Sequence, residues 1–231
     1  LDKIIAADPD RISLFNYAHM PKLFKTQRQI KSEDLPTAEQ KLSILQLSIN
    51  KLTQAGYQYI GMDHFARPED SLAQAQRYGT LQRNFQGYSS HSQCDLIGLG
   101  VSAISRVDDV YAQNPTQLSH YEAALDEGRL ATVKGLLLNK DDLMRREVIE
   151  RLMCDMAIDL EAIGKRWQIN ATDYFSTALE RLKTAEQDGL LVRQGLYLQA
   201  TPTGRLLIRH LAMAFDNHLQ HQGNQRYSKI L

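Results

Sequence analysis

The sequence is poor in the residue types that define several protein classes. Its 231 residues include two cysteines, Cys94 and Cys154, and neither has a CxxC partner, which excludes a disulfide framework and predicts structural thiols. No apolar run approaches the roughly 18–20 residues of a transmembrane helix, and no basic-then-apolar signal segment opens the chain. Thirteen glycines and six prolines are too few for a collagen-like or disordered chain. We therefore predict a soluble, cytoplasmic globular protein without a membrane partner.

An excess of charge of one sign is also absent. The 27 Lys and Arg residues balance 27 Asp and Glu residues, which gives a formal net charge of zero. Proteins that bind nucleic-acid phosphates carry a basic surface, so we predict no nucleic-acid partner, although a local basic patch is compatible with this balance. The length allows one large domain, or one domain with a smaller companion.

The beginning of the chain lacks both a methionine and a helix cap. Leu1, Ile4 and Ile5 already follow a helical spacing, which stops at Asp8-Pro9. A helix that starts without a cap indicates that the protein begins further upstream. We expect the chain to be a fragment of a longer protein.

Residues 1–135 show an α/β pattern. The apolar-rich segments 11–17 and 57–62 are typical of strands, and the helix between them begins at a capping-box pattern formed by Thr37 and Gln40. A strand–helix–strand unit predicts parallel strands joined by a right-handed crossover. This pattern predicts a partial, open α/β barrel.

A third strand is predicted at 95–102, which contains Gly98 and Gly100. Glycine inside a strand indicates close approach of another backbone or of a ligand. A short helix is predicted at 69–78 within a loop-rich segment at 63–93, and another helix is predicted from Asn114-Pro115 to about Gly128. Residues 18–36 are predicted to be irregular.

Residues 136–231 are predicted to form a mainly helical domain. The expected elements are helices at 141–156, 160–167 and 172–188, a hairpin at 190–199 and a last helix at 203–220. Three helices, a hairpin and a helix resemble a winged helix, although charges of both signs on the first helix disfavour a phosphate-binding face. His218 and His221 are three positions apart, but an ordinary terminal helix explains them better than a metal site. We predict no metal-binding residues in this chain.

Polar side chains follow the predicted strands, where ligand sites of parallel sheets gather. His19 follows the first strand, and His64 and Arg67 follow the second. Segment 83–88 adds aromatic and amide groups of the kind that orient a polar ligand. Both histidines are candidates for proton transfer, and hydrogen-bonded loop histidines are an equal alternative.

The same segments resemble a known family, the oxygen-independent coproporphyrinogen III oxidases, which are radical S-adenosylmethionine (SAM) enzymes of haem biosynthesis. The resemblance extends to the C-terminus through Gly204–Arg209 and covers the C-terminal half of the family. It is carried by four ordered motifs: Phe15-Asn16-Tyr17-Ala18-His19, Gly61-Met62-Asp63-His64-Phe65-Ala66, Arg83-Asn84-Phe85-Gln86-Gly87-Tyr88 and Asp95-Leu96-Ile97-Gly98-Leu99-Gly100-Val101-Ser102-Ala103-Ile104-Ser105.

The resemblance implies a specific reaction. In this family a [4Fe-4S] cluster held by a CxxxCxxC motif cleaves SAM to a radical, and two propionates of coproporphyrinogen III lose hydrogen and carbon dioxide to become the vinyl groups of protoporphyrinogen IX. An electron donor is implied as a partner. A second SAM lies near the first, and the residues that resemble its contacts are Ala18, Phe85, Gln86 and Ile104.

The chain also departs from the family pattern. It has no CxxxCxxC motif, so the cluster is expected in a missing N-terminal half, and this chain alone is expected to be inactive. The implied fold is the C-terminal part of a radical-SAM TIM-like barrel followed by the helical domain. Because the substrate carries carboxylates, Arg67 and Arg83 are the candidate substrate-binding residues, with Lys22 and Lys25 as weaker candidates. Arginines that only pin loops are an equal alternative.

Two other functions stay open at this stage. A radical-SAM haem chaperone has a similar layout, but a Tyr-Trp type motif is expected there in place of Phe85-Gln86, and the single tryptophan, Trp167, is in the helical region. A stand-alone winged-helix interaction or DNA-binding protein would give residues 1–135 no role. Salt-dependent DNA binding would support that second alternative.

Overall fold

The computed structural model describes residues 1–91 and 94–220. They form two compact units: unit 1 comprises Leu1–Tyr78 and the described residues from Asn217 onward, and unit 2 comprises Gly79–Asp216. The predicted domain boundary at 135/136 lies inside unit 2, and the division into domains at 1–135 and 136–231 stays a proposal. The predicted pair His218 and His221 is not described as a pair, because His221 lies outside the described residues. No helix in the described ranges is long and apolar enough to cross a membrane.

Unit 1 combines helices with a small antiparallel sheet. Its elements are α1 (Asp2–Ala7), β1 (Arg11–Ser13), two 3-10 helices (Lys25–Gln29 and Ser32–Asp34), α2 (Ala38–Gln54), β2 (Gln58–Gly61), β3 (His64–Ala66), α3 (Ser71–Arg77) and a third 3-10 helix (His218–Gln220). The predicted capping box is confirmed, because Thr37 Oγ1 accepts from the Gln40 backbone N–H and the Gln40 side chain accepts from the Thr37 N–H. Both bonds satisfy helix donors that otherwise lack a partner.

The segments 11–17 and 57–62, predicted as parallel strands, do run in the same direction, but they are not neighbours in the sheet. β3 lies between β1 and β2 and pairs antiparallel with both, so the two flanking strands run in the same direction without touching. Met62 and Asp63 adopt positive φ angles of 44° and 64° and turn the chain directly back after β2. Residues that were predicted as a loop at a strand end therefore form the central strand. Leu52, Tyr57 and Phe65 form the buried cluster that joins this sheet to α2.

Unit 2 contains hairpins followed by a mainly helical part. Its elements are β4 (Gln82–Asn84), β5 (Gly87–Ser89), β6 (Ile104–Val107), β7 (Val110–Gln113), α4 (Leu118–Asp126), β8 (Lys134–Leu137), α5 (Lys140–Asp155), β9 (Ala157–Asp159), α6 (Leu160–Trp167), α7 (Ala171–Tyr174), α8 (Ser176–Gln187), β10 (Leu191–Gln194), β11 (Tyr197–Ala200), α9 (Pro202–Leu206) and α10 (Ile208–Met213). The strand pairs in these sheets are antiparallel. The α/β class is confirmed, and the described residues contain no closed barrel.

The prediction of a strand at 95–102 is wrong. The segment makes one isolated antiparallel bridge, between Leu96 and Arg106, and the regular hairpin is formed by β6 and β7. The glycines explain the difference. Gly98 runs so close to β6 that an added Cβ would lie 3.0 Å from the Ile104 carbonyl oxygen, and Gly100 has a φ of 91°. The predicted close approach of a backbone is confirmed at Gly98.

The helical part is organised around α5 and a three-stranded sheet in the order β10-β11-β9. The helices predicted at 141–156 and 160–167 and the hairpin at 190–199 are confirmed. The helix predicted at 172–188 is divided at Phe175 into α7 and α8, and the last helix is divided at Leu207. Phe175 and Phe215 are buried and meet edge to face with centroids 5.6 Å apart, at the centre of this part.

Candidate ligand site in unit 2

The candidate ligand residues Phe85 and Gln86 form the two-residue turn between β4 and β5. The last strand pair is Asn84 with Gly87, and the Asn84 side chain accepts a hydrogen bond of 2.8 Å from the Gln86 N–H. Gly87 has a φ of 123°, which a residue with a side chain rarely adopts. Asparagine and glycine thus fix a turn that presents an aromatic ring and an amide to the surroundings, with Phe85 56% exposed.

The Phe85 ring does not project freely from this turn. It meets the ring of Tyr111 edge to face, with centroids 5.1 Å apart and planes at 88°. Tyr111 lies on β7 opposite Arg106 of β6, and Ile104 is opposite Gln113. Because opposite residues and residues two apart share a face of a sheet, Ile104 and Tyr111 point to the same side, roughly 7–8 Å apart along the diagonal. The turn and Ile104 therefore border one surface.

Polar groups fix the backbone beside Ile104. Ser105 Oγ accepts from the Gly98 N–H at 2.9 Å, and the Asn114 amide donates to the Gly100 carbonyl at 2.9 Å. The Gly100 N–H donates to the Tyr121 hydroxyl at 3.0 Å. These bonds hold residues 98–100 in place and fix the backbone beside Ile104.

Arg83, a candidate substrate-binding residue, lies on β4 one residue before Asn84. Its guanidinium lies 5.0 Å from the centroid of the Tyr88 ring, and its backbone N–H donates to Glu150 on α5 at 3.4 Å. The Nη1 atom is buried and has no hydrogen-bond partner among the described residues. A buried donor without an acceptor costs about 1–3 kcal/mol, so this nitrogen retains capacity for an anionic acceptor.

The other candidates belong to unit 1, and two of them lie in the segment after β1. The Ala18 side chain is exposed, and its carbonyl accepts from the Gln27 amide at 3.1 Å. The carbonyl of the same amide accepts from the Met20 N–H at 2.5 Å, so Gln27 closes the segment into a loop. His19 Nδ1 is buried without a hydrogen-bond partner among the described residues, and its ring lies 5.9 Å from that of Tyr17.

His64 begins β3 rather than lying in a loop. Its Nδ1 is 2.7 Å from the Met62 carbonyl oxygen, and its ring meets Phe15 with centroids 5.4 Å apart. A carbonyl oxygen only accepts, so the neutral ring carries its proton on Nδ1, and Nε2 is the basic nitrogen. The structure thus brings together His64 and Phe15, which belong to two different sequence motifs.

Arg67 is engaged by groups of unit 1. One terminal nitrogen donates to the Ala55 carbonyl at 2.7 Å, and the other pairs with the Asp8 carboxylate. The guanidinium lies 4.0 Å from the centre of the Tyr57 ring. The hydrogen bond to Asp8 is the main cause of a raised pKa for Arg67. These contacts favour the loop-pinning alternative over the substrate prediction, while Lys22 and Lys25 are exposed.

Comparison with known proteins adds independent information. A model of the HemN C-terminal domain matches residues 138–207. The whole chain is 47% identical to an oxygen-independent coproporphyrinogen III oxidase from Pseudomonas aeruginosa and covers 50% of it. A protein of the same name from Thermostichus vulcanus is 42% identical, in a match that covers 99% of this chain and 71% of that protein. The chain belongs to the oxygen-independent coproporphyrinogen III oxidase family.

A solved structure agrees with this assignment. It is described as "Coproporphyrinogen III oxidase (HemN) from Escherichia coli is a Radical SAM enzyme", is 48% identical, and superposes with a TM-score of 0.89 over 94% of this chain and 50% of that one. The chain therefore spans about half the length of the Pseudomonas and Escherichia relatives.

The family's two cofactors fit this chain differently. SAM needs an aromatic or apolar wall for adenine and polar partners for its methionine part, and Phe85, Ile104 and the Gln86 amide are residues of that kind. A [4Fe-4S] cluster needs three or four thiolates, whereas the chain has two cysteines. Burial raises the pKa of the Cys154 thiol to about 12, so it stays protonated. The cluster does not fit this chain.

Sequence reasoning missed the residues that support the site. Tyr111 was assigned to no element, although Ile104–Val107 and Val110–Gln113 contain β-branched residues and flank Asp108-Asp109, and aspartate is a common turn residue. The Asn84 and Gly87 spacing around two residues was an equally readable turn signal. The link from α5 to the hairpin had no local signal, because more than sixty residues separate the partners in the chain.

Proposed function

We propose that this chain is the C-terminal part of an enzyme that converts coproporphyrinogen III to protoporphyrinogen IX in haem biosynthesis. In the intact enzyme, SAM and the [4Fe-4S] cluster would together supply the radical that takes a hydrogen atom from a propionate. As carbon dioxide leaves to give the vinyl group, the substrate would also pass one electron to an acceptor outside this chain. The cluster and its cysteines belong to the part of the enzyme outside this chain, so this chain alone is inactive. The reducing electron comes from a donor protein, and the enzyme works in the cytoplasm.

The observation that carries the proposal is the Phe85–Gln86 turn above the face that contains Ile104. Phe85 provides a ring on which adenine can stack. The edge-to-face contact with Tyr111 holds that ring in place. Gln86 offers both a donor and an acceptor for the amino and carboxylate groups of a second SAM. Ile104 closes the apolar side. Ala18, which belongs to unit 1, stays a proposed SAM-binding residue through the family resemblance alone.

Arg83 is the better of the two arginines for the substrate role. Its buried Nη1 has no acceptor among the described residues, and a propionate carboxylate is an acceptor that arginine binds well. His19 and His64 are proposed to hydrogen-bond a propionate or to move a proton. Arg67 stays a weaker proposal, since its terminal nitrogens already donate to Ala55 and Asp8.

The helical part of unit 2 is proposed to be winged-helix-like. Helix α5, strand β9, helices α6 to α8 and the β10–β11 hairpin follow one another as in that class, and β9 adds to the hairpin. We do not propose DNA as its partner, because the exposed side of α8 balances Glu180 and Glu186 with Arg181 and Lys183. The relatives that carry the oxidase name favour the enzyme over the haem chaperone.

The test is reconstitution of an intact enzyme. The chain is fused to the half of the Pseudomonas aeruginosa relative that it does not cover, and the cluster is rebuilt without oxygen. With SAM, a chemical reductant and coproporphyrinogen III, the fusion is expected to form protoporphyrinogen IX and release two molecules of carbon dioxide per substrate. The native relative is the positive control. A fusion that binds its cluster and cleaves SAM, but leaves the propionates intact, would contradict the proposal.

A further inference from the structure

We propose that Arg151 of helix α5 is a positioning residue for the second SAM, because it holds the base of the hairpin whose tip is the Phe85–Gln86 turn. This inference rests on the proposed function, since it assigns a support to the same ligand turn. Arg151 itself lies away from the tip and acts through the backbone.

The contacts of Arg151 converge on the entry to β4. Its Nη1 donates to the Gly79 carbonyl at 2.9 Å and its Nη2 to the Leu81 carbonyl at 2.5 Å. The planar fork of arginine therefore fixes two alternate carbonyls at once, which an ammonium group on a flexible chain does not reproduce. Asp155, one turn along α5, accepts from Nη1 at 3.0 Å and orients the fork.

Helix α5 also holds the rest of the hairpin. The Arg83 N–H donates to Glu150, and the Tyr88 hydroxyl donates to the Met153 carbonyl at 3.0 Å. Arg83 and Tyr88 are opposite each other in the strand pair, one step from the Asn84–Gly87 pair that closes the turn. Both strands are thus attached to α5 at their middle residues, and one residue on each strand, Asn84 or Gly87, separates the attachment from the turn.

Loosening the hairpin from α5 would displace the Phe85–Gln86 turn at its tip. A two-stranded hairpin is marginal by itself, so it depends on α5, which packs on β4 and accepts the Tyr88 hydroxyl bond from β5. A shift of about 1 Å in a positioned group is enough to lose most of its effect on a bound ligand. Loss of the Arg151 fork therefore weakens the second SAM although no atom of the SAM contacts is removed.

The experiment compares two Arg-to-Lys variants of the intact fusion enzyme on the same helix. Arg151→Lys loses the fork to Gly79 and Leu81. Arg145→Lys is the matched control, since Arg145 likewise binds a carboxylate one turn away, Asp141, and a backbone carbonyl, Phe215, but none of its hydrogen bonds reaches residues 79–89. SAM bound per chain and its Kd are measured by equilibrium dialysis, well below each variant's Tm. A less disruptive variant, Tyr88→Phe, keeps the ring and removes the hydroxyl that bonds to α5.

Arg151→Lys is expected to weaken the second SAM roughly tenfold, and Tyr88→Phe roughly threefold, while the first SAM stays bound and Arg145→Lys keeps both at wild-type affinity. Wild-type affinity for the second SAM in both Arg151→Lys and Tyr88→Phe would overturn the role of Arg151 but not the proposed second-SAM site. Equal weakening in Arg145→Lys would also overturn it, because the effect would then be general instability. A wild-type enzyme that binds a single SAM would overturn the proposed site itself, and the inference with it.

Discussion

Phe85 and Tyr111 meet edge to face at 5.1 Å, which joins the tip of one hairpin to the middle strand of the neighbouring sheet. The contact links a residue of the 83–88 motif to a residue outside the four motifs, and it sets the plane of the Phe85 ring. An aromatic pair of this geometry contributes roughly 0.5–1.5 kcal/mol beyond its buried area.

Loss of the Tyr111 ring is expected to weaken the second SAM. Tyr111→Leu leaves Phe85 without its edge contact, so the Kd of the second SAM in the intact enzyme should rise severalfold. Tyr111→Phe keeps the ring and serves as the control, with an unchanged Kd. Equal affinities in Tyr111→Leu and wild type would show that Phe85 needs no such support.

The two candidate arginines are expected to behave differently. Arg83→Ala should raise KM for coproporphyrinogen III about tenfold, because the buried Nη1 donor proposed to bind a carboxylate is lost. Arg67→Ala should lower Tm by a few degrees and leave KM near wild type, because it breaks the contacts with Asp8, Ala55 and Tyr57. Steady-state kinetics and thermal unfolding measure both effects. A normal KM in Arg83→Ala, or a raised KM with unchanged Tm in Arg67→Ala, would reverse the assignments.

The two cysteines are expected to react at very different rates. Cys94 is exposed, whereas Cys154 is buried and its pKa is raised to about 12 by loss of solvation. Since the thiolate is the nucleophile, iodoacetamide at pH 8 should label Cys94 in the native chain and Cys154 only after denaturation. Mass spectrometry of the labelled peptides measures this. Rapid labelling of Cys154 in the native protein would mean that α5 opens.

Asp155 is expected to make stability depend on pH in the acidic range. Burial raises its pKa above the ordinary 3.8, and the ion pair with Arg151 lowers it only in part. The folded state then binds more protons than the unfolded state between 3.8 and the raised value, so this group's contribution to stability increases as pH falls through that window. Denaturant unfolding at several pH values measures this. As pH falls from 7 toward 4, the free energy of unfolding of the wild type should increase relative to that of Asp155→Asn. A constant difference between the two would contradict this.

Features determined by neighbouring residues were predictable from the sequence. The capping box of Thr37 and Gln40 is a contact between residues three apart, and its pattern led directly to the start of α2. Helices α5 and α6 likewise follow from local periodicity. The close approach at Gly98 was predicted because a missing Cβ lets another backbone or a ligand come near, although the partner strand was not identified.

Features determined by distant residues were not predictable. The segments 11–17 and 57–62 both resemble strands, but their order in the sheet depends on β3, whose three residues were too short to recognise. The residues of the candidate site also divide into those that were predictable from the sequence and those that were not. Phe85, Gln86 and Ile104 were found by resemblance, whereas Tyr111 and Arg151 act through contacts that appear only when hairpin, sheet and helix are assembled.

The most direct test of the account is to count SAM in the intact enzyme and in its Gln86→Ala variant. Removal of the amide leaves polar groups of the second SAM without a partner, at a cost of about 1–3 kcal/mol. The account predicts two SAM molecules per wild-type chain and, at SAM concentrations just sufficient to fill the wild type, close to one in Gln86→Ala, with Tm unchanged. Equal SAM content and equal SAM cleavage in both proteins would contradict it.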